Sequence, residues 1–372
     1  MRRECLDYDG RVFRLNSLIG STMTPSPTDS PESVFRLWQS YVPTPLVDLP
    51  RLAVHCRVAR VMVKDESQRP LGSFKSLGGM YAGLRALARA TNQPDIETLV
   101  QAHLPRAQLP KLICASDGNH GLAVAAGAEL AGAAARIYLH RHVPESRAKR
   151  IAARGAEIVW VDGTYDDSVD EAARAAQRGE GLLIADTAAD EHDPVVADVM
   201  GGYELMAREI VQQLSAHGEA HPTHLFVQAG VGGLAAALAR GLNLSPDKRC
   251  RVVVVEPSEV ACVGLALRLG RIERMSGELN TAAEMLSCGE ASAPALRILQ
   301  QHQAAALAVD EAALHAAVDT LSQFGGPATT PSGATGLAGL IATTAEVELR
   351  AELELDEQSR VLLIATEGPV PI

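Results

Sequence analysis

Aromatic residues make up 3% of this 372-residue chain, too few for the stacking platform that single-stranded nucleic acid requires. Long basic runs are missing as well. With 34 Lys and Arg against 45 Asp and Glu, the formal charge is −11, which argues against a polyanionic partner and leaves room only for a local anion site. No apolar run reaches the length of a membrane-spanning helix. The basic start Met1-Arg2-Arg3 is not followed by the hydrophobic core of an export signal, so a cytoplasmic protein is expected. Cys5, Cys56, Cys114, Cys250, Cys262 and Cys288 form no C-x-x-C pair and no metal-type spacing, and read as small buried hydrophobes. The 11 histidines are scattered, and His140 with His142 is too little to suggest a metal site.

Ala, Leu, Val and Gly fill the chain instead, and hydrophobic residues reach 47%, enough for two domains with substantial cores. After a Pro-rich arm around residues 23–31 and a short helix over 32–38, strands and helices alternate from residue 60 onward. Strands are expected at 58–63, 112–115, 136–139, 157–161, 182–185, 224–228, 251–256 and 361–366. Helices are expected at 76–90, 119–130, 145–154, 168–178, 234–242, 310–321 and 333–349, with Asp310 as an N-cap. The strands are unbroken apolar runs without alternation, the pattern of strands covered on both faces. The class is therefore α/β, with doubly wound, mostly parallel sheets. Residues 92–110, with Pro94, Pro105 and Pro110 around a short helical stretch, read as an insertion.

Three segments at strand-to-helix junctions carry the chemistry. In Gly72-Ser73-Phe74-Lys75 an amine is flanked by small residues (Gly72, Ser73, Ser76, Gly78, Gly79) that allow a planar ligand close to the backbone. Apolar Leu71, Phe74 and Leu77 supply the desolvation that a nucleophilic, neutral lysine needs. In Ser116-Asp117-Gly118-Asn119-His120-Gly121, Asn119 opens a helix and offers an amide to a ring hydroxyl, while Asp117 is an available acid or base. His120 reads as a structural contact. Gly230-Val231-Gly232-Gly233 precedes a helix and offers free backbone N–H groups to a phosphate. It is neither a G-K-[ST] loop nor a G-x-G-x-x-G fingerprint. An amine, a hydroxyl reader and a phosphate cradle, in that order, suit one aldehyde cofactor: pyridoxal 5'-phosphate.

That order resembles the fold type II pyridoxal-phosphate enzymes, the group of threonine dehydratase and the tryptophan synthase β chain. Within it, the chain from about residue 40 onward is similar to diaminopropionate ammonia-lyase. The matching stretches are Tyr41-Val42-Pro43-Thr44-Pro45-Leu46, Val63-Lys64-Asp65-Glu66-Ser67-Gln68-Arg69, Asp186-Thr187-Ala188, Gly202-Tyr203, Gln228-Ala229-Gly230, Val255-Glu256-Pro257 and Thr366-Glu367-Gly368. The resemblance implies that the cofactor lies between a large domain (1–79 and 191–372) and a small one inserted into it (80–190). It implies Lys75 as the Schiff-base lysine and first base, and Asp117 as the acid or base on the opposite face, through which both enantiomers react. Phe74, Asn119 and Gly230 to Gly233 would hold the cofactor, and Thr366 would face its pyridine nitrogen. Asp186 would contact the substrate's β-amine. A homodimer acting on a small amino acid by β-elimination is the expectation that follows.

Three positions depart from the ammonia-lyase pattern. Arg69-Pro70-Leu71-Gly72-Ser73 is one residue shorter and closer to the dehydratases. Ala189 stands where a tryptophan is usual, and Leu122 where an arginine is. A serine/threonine dehydratase or a β-replacement enzyme is the alternative within the same chemistry. A non-catalytic cofactor-binding or regulatory protein is the alternative outside it, and the intact Lys75 speaks against that one.

Overall fold

The computed structural model describes residues 30–39, 41–116, 118–244 and 249–369. Its strands are β1 (Leu46–Asp48), β2 (Arg60–Asp65), β3 (Leu112–Ala115), β4 (Ala135–His140), β5 (Glu157–Val161), β6 (Leu182–Leu183), β7 (His224–Gln228), β8 (Arg251–Pro257), β9 (Ala305–Val309) and β10 (Arg360–Ala365). They form a six-stranded sheet in the order β1-β2-β10-β7-β8-β9 and a four-stranded sheet in the order β5-β4-β3-β6. Every pairing is parallel except β1 with β2, where Leu46 lies opposite Lys64.

The inner apolar runs behave as strands buried on both faces, whereas edge strand β5, with Glu157 and Trp160 exposed, does not. Leu362 and Ile364 of β10 point into one core, and Val361, Leu363 and Ala365 into the other. In β8, Val252 and Val254 alternate in the same way with Val253 and Val255. The first core runs on from the six-stranded sheet through helix Lys75–Ala90 to the four-stranded one. That helix packs on Asn119–Ala131 and on Pro194–Ala216.

Close packing there needs glycine. A Cβ on Gly78 would lie 2.5 Å from Tyr203 Cε1, and one on Gly202 would lie 2.3 Å from the Leu77 carbonyl oxygen. Gly78 thus serves helix-on-helix contact rather than the approach of a planar ligand, which corrects the expectation drawn from the small residues around Lys75.

The expected elements appear in order, with several differences; helices Pro50–Cys56, Cys262–Leu269 and Ala293–Gln301 were not among those expected. Helix Pro194–Ala216, capped by Asp193 through the N–H groups of Val195 and Val196, was not anticipated. Neither were β1 and β9. The helix expected over 333–349 is two, Pro331–Ala345 and Val347–Glu352, because Glu346 is extended at φ −114°, ψ 122°. The helix after β5 starts earlier than expected, at Tyr165, where Thr164 and Asp167 form a reciprocal capping box. Asp310 caps its helix as expected, accepting from the Ala313 N–H at 2.7 Å. Residues 92–110 do hold a short helix, Ile96–Gln101.

Candidate active site

All strands except β1 run parallel within their sheets, and the loops at their carboxyl ends converge. This is where open α/β sheets place their ligands. Lys75 follows β2, Asn119 follows β3, Asp186 follows β6, Gly230 to Gly233 follow β7, and Thr366 follows β10. With Phe74 they line one cavity. Asp117 lies outside the described residues; Ser116 and Gly118 line the cavity.

The lysine loop is held from both sides. Leu71 has φ +73° and Gly72 φ +79°, and the left-handed conformation at Leu71 costs roughly 1–2 kcal/mol. Contacts on the backbone hold it there. Gly368 N–H donates to the Gly72 carbonyl at 3.1 Å and Phe74 N–H to the Thr366 carbonyl at 3.1 Å. Arg150 Nη2 donates to the Leu71 carbonyl at 3.0 Å. Behind the loop, the fully buried Arg69 guanidinium joins two buried carboxylates. It reaches Glu66 at 2.7 and 2.8 Å and Glu209 at 2.7 and 2.8 Å. Lys64 Nζ adds a contact to Glu209 at 2.6 Å, and the Tyr41 hydroxyl donates to the same carboxylate at 2.9 Å.

Lys75 opens its helix with Nζ 2.5 Å from Asp186 Oδ2 and 5.4 Å from the centre of the Phe74 ring. Burial alone would lower the amine's pKa. The Asp186 carboxylate and the neighbouring Tyr203 outweigh it, and the amine is held above its ordinary value. The reciprocal holds for Asp186: burial pushes its carboxyl up, but Lys75 and then His120 bring it well below the usual range. The apolar setting expected to neutralise Lys75 is therefore overridden by a carboxylate that sits 111 residues away in the chain. Tyr203, whose ring lies tilted against Phe74 with centroids 4.9 Å apart, has its hydroxyl pushed up to about 12 by burial.

Asn119 does not cap its own helix. Ser116 does that work, accepting from Gly118 N–H at 3.1 Å and Gly121 N–H at 2.9 Å. Asn119 Nδ2 instead donates to Glu367. His120 is structural, with Nε2 2.9 Å from the Ile184 carbonyl and its pKa lowered by burial.

Helix Gly233–Leu242 begins after Gly232 at φ +94°, and no side chain caps its N–H groups. Thr164, Asp193, Asp310 and Thr330 do cap theirs. An uncapped N-terminus facing the lysine cavity fits a phosphate. Gln228 Nε2 donates to Thr366 Oγ1 at 3.1 Å, which leaves the threonine's own proton to donate to a ring nitrogen. Amine, N–H cradle, amide and hydroxyl thus fit pyridoxal phosphate.

Glu367, Gln228 and Tyr203 also line the cavity, and no motif in the sequence marks them as site residues. Each adjoins or lies within a stretch that carried the family resemblance, and that adjacency was the available signal.

The fold and cavity are those of a fold type II pyridoxal-phosphate enzyme. The family described as "Pyridoxal-phosphate dependent enzyme" matches residues 37–367, and the chain belongs to it. The chain is 32% identical over 343 residues to the diaminopropionate ammonia-lyase of Escherichia coli (strain K12), covering 89% of this chain and 86% of that one. Among solved structures, the holo diaminopropionate ammonia lyase of Escherichia coli superposes with a TM-score of 0.82 at 29% identity, covering 97% of this chain and 94% of that one. The threonine deaminase of T.th. superposes with a TM-score of 0.73 at 25% identity, covering 94% and 99%.

Proposed function

We propose that the chain is an ammonia-lyase that converts 2,3-diaminopropionate and water to pyruvate and two ammonia molecules. The observation that carries this is the Lys75–Asp186 pair, 2.5 Å apart in the cavity that also holds the glycine cradle and Thr366. Bound there through its aldehyde, pyridoxal phosphate supplies a ring that draws electrons from the substrate's α-carbon. Lys75 would hold the cofactor, and its Nζ would take up the substrate's α-proton. The backbone N–H groups of the loop Gly230 to Gly233 would hold the phosphate. Asn119 would donate to the ring hydroxyl, and the Thr366 hydroxyl would donate to the ring nitrogen. Phe74 packs beside the lysine.

Asp186 supports the choice of a diamine. A carboxylate whose pKa lies far below neutrality keeps a nearby amine protonated. A β-ammonium leaves as neutral ammonia, taking the C–N electron pair, so the reaction needs the group in that charged form. Asp117 is proposed as the second acid or base, serving the other enantiomer. The domain reading is kept as part of this proposal, with 80–190 as the small domain; residues 112–183 forming the four-stranded sheet support it. A homodimer is supported by the family resemblance alone. For a cytoplasmic location the support is that no helix among the described residues is long and apolar enough to cross a membrane.

A serine/threonine dehydratase is the second reading, favoured by the short Arg69–Ser73 loop. The test is release of ammonia and 2-oxo acid from L- and D-diaminopropionate, L-serine and L-threonine, side by side. Rapid pyruvate from the diaminopropionates is expected. A faster reaction with serine or threonine would replace the first reading with the second.

A further inference from the structure

Glu367 joins three parts of the site. Its backbone pairs with Ser73, two residues before Lys75, in an isolated antiparallel bridge. One carboxylate oxygen accepts from the Thr330 hydroxyl at 2.6 Å. Thr330 in turn accepts from the Gly333 N–H at 3.1 Å as it caps helix Pro331–Ala345. The other carboxylate oxygen accepts from Asn119 Nδ2. The carboxylate is buried, and both of its hydrogen-bonding neighbours are donors, the arrangement an ionised acid requires.

An amide has two ends, and a carboxylate can accept from only one of them. Holding Nδ2 toward Glu367 turns the amide oxygen elsewhere and leaves the second hydrogen on the same nitrogen as the donor for a ring oxygen. We propose that Glu367 is a positioning residue for the cofactor: it fixes the orientation of the Asn119 amide and keeps a negative charge beside the cofactor's phenolic oxygen. This rests on the reading of Asn119 as the partner of that oxygen.

The charged groups that face Glu367 are Lys75 and Arg147; Arg150 and Glu284 line the adjoining cleft. Burial raises the carboxyl's pKa, and Thr330, Asn119, Arg147 and Lys75 pull part of it back.

The test is a pH titration of the cofactor's visible band in the holoenzyme. A nearby anion favours the protonated lysine–cofactor linkage. Glu367→Gln, which keeps the shape and loses the charge, should therefore lower the midpoint by on the order of 1 pH unit. In an Asn119→Ala background the same substitution should still lower the midpoint, because the charge acts through space, but should no longer change cofactor affinity, because no amide is left to orient. Glu367→Asp keeps the charge but withdraws the oxygen by one methylene, so its midpoint should stay near wild type while cofactor affinity falls several-fold. An unchanged midpoint in Glu367→Gln overturns the proposal, as does a Glu367→Asp midpoint displaced as far. Absence of any lysine-dependent band in the wild type would instead overturn the cofactor reading beneath it.

Discussion

Asp186 and Lys75 meet across the gap between the two sheets, one at the end of the four-stranded sheet and the other at the end of the six-stranded one, 2.5 Å apart. Neither sheet alone contains the pair, so the charge state of the amine depends on how the sheets are juxtaposed.

Replacing Asp186 with Asn should expose that dependence in the cofactor-free protein. The folded pKa of Asp186 is lowered, so its stabilisation is present above the unfolded value near 3.9 and is lost as pH falls through the folded one. The folded pKa of Lys75 is raised, so its share is present below about 10.4 and disappears only as pH rises through the folded value. Melting curves should show a wild-type advantage over Asp186→Asn that is flat around neutrality and shrinks below about pH 4. An advantage that grows on acidification would contradict the pairing.

Lys75→Ala should abolish the lysine-dependent visible band and cut turnover by at least about 10³-fold, within the range of a lost acid–base group compounded by loss of the covalent anchor. Spectra and steady-state rates on the same preparation check it. Retained turnover would remove Lys75 from the reaction.

Asp117→Asn should depress turnover of one diaminopropionate enantiomer by roughly 10²–10⁴-fold and leave the other within a few-fold. Equal losses on both would make Asp117 a structural residue.

Arg69→Met leaves two buried carboxylates, Glu66 and Glu209, without their shared guanidinium, and should cost about 3–5 kcal/mol of stability. Denaturant titration of the cofactor-free protein measures it. Because Arg69 also backs the strained Leu71, cofactor affinity should fall together with stability. Arg69→Lys, unable to fork between two carboxylates, should rescue only part of either loss.

Gly78→Ala puts a methyl group 2.5 Å from Tyr203 and 2.7 Å from the Val199 carbonyl oxygen, and should destabilise the protein by about 1–3 kcal/mol. A melting temperature equal to wild type would mean that the two helices separate without cost.

Local features were legible in the chain wherever one short segment held the whole signal. β3, β5 and β7 are apolar runs ending at turn residues, and their limits are those expected. The glycine turn before Leu234 and the lysine before its helix also announce themselves by neighbours in sequence. What escaped depends on distant partners. β9, Ala-Ala-Leu-Ala-Val, reads equally well as helix until β8 is beside it. The break at Glu346 lies between two stretches that each suit a helix. Gly78 looks like room for a ligand until Tyr203 arrives from another helix. Glu367 is 248 residues from Asn119, and its carboxylate acquires meaning only where the two loops meet.

The order of strands in the larger sheet sets a timetable. β10, which lies between β2 and β7, is the last strand of the sheet in chain order, with Arg60 paired to Arg360. While the chain is being synthesised, β2 and β7 have no neighbour to join them, and the Lys75 loop lacks the Thr366 and Gly368 backbone that later clamps it. Capture of the cofactor should therefore wait until β10 has been made and can pair. A nascent or truncated polypeptide ending before β10 should carry the lysine yet leave the cofactor in solution.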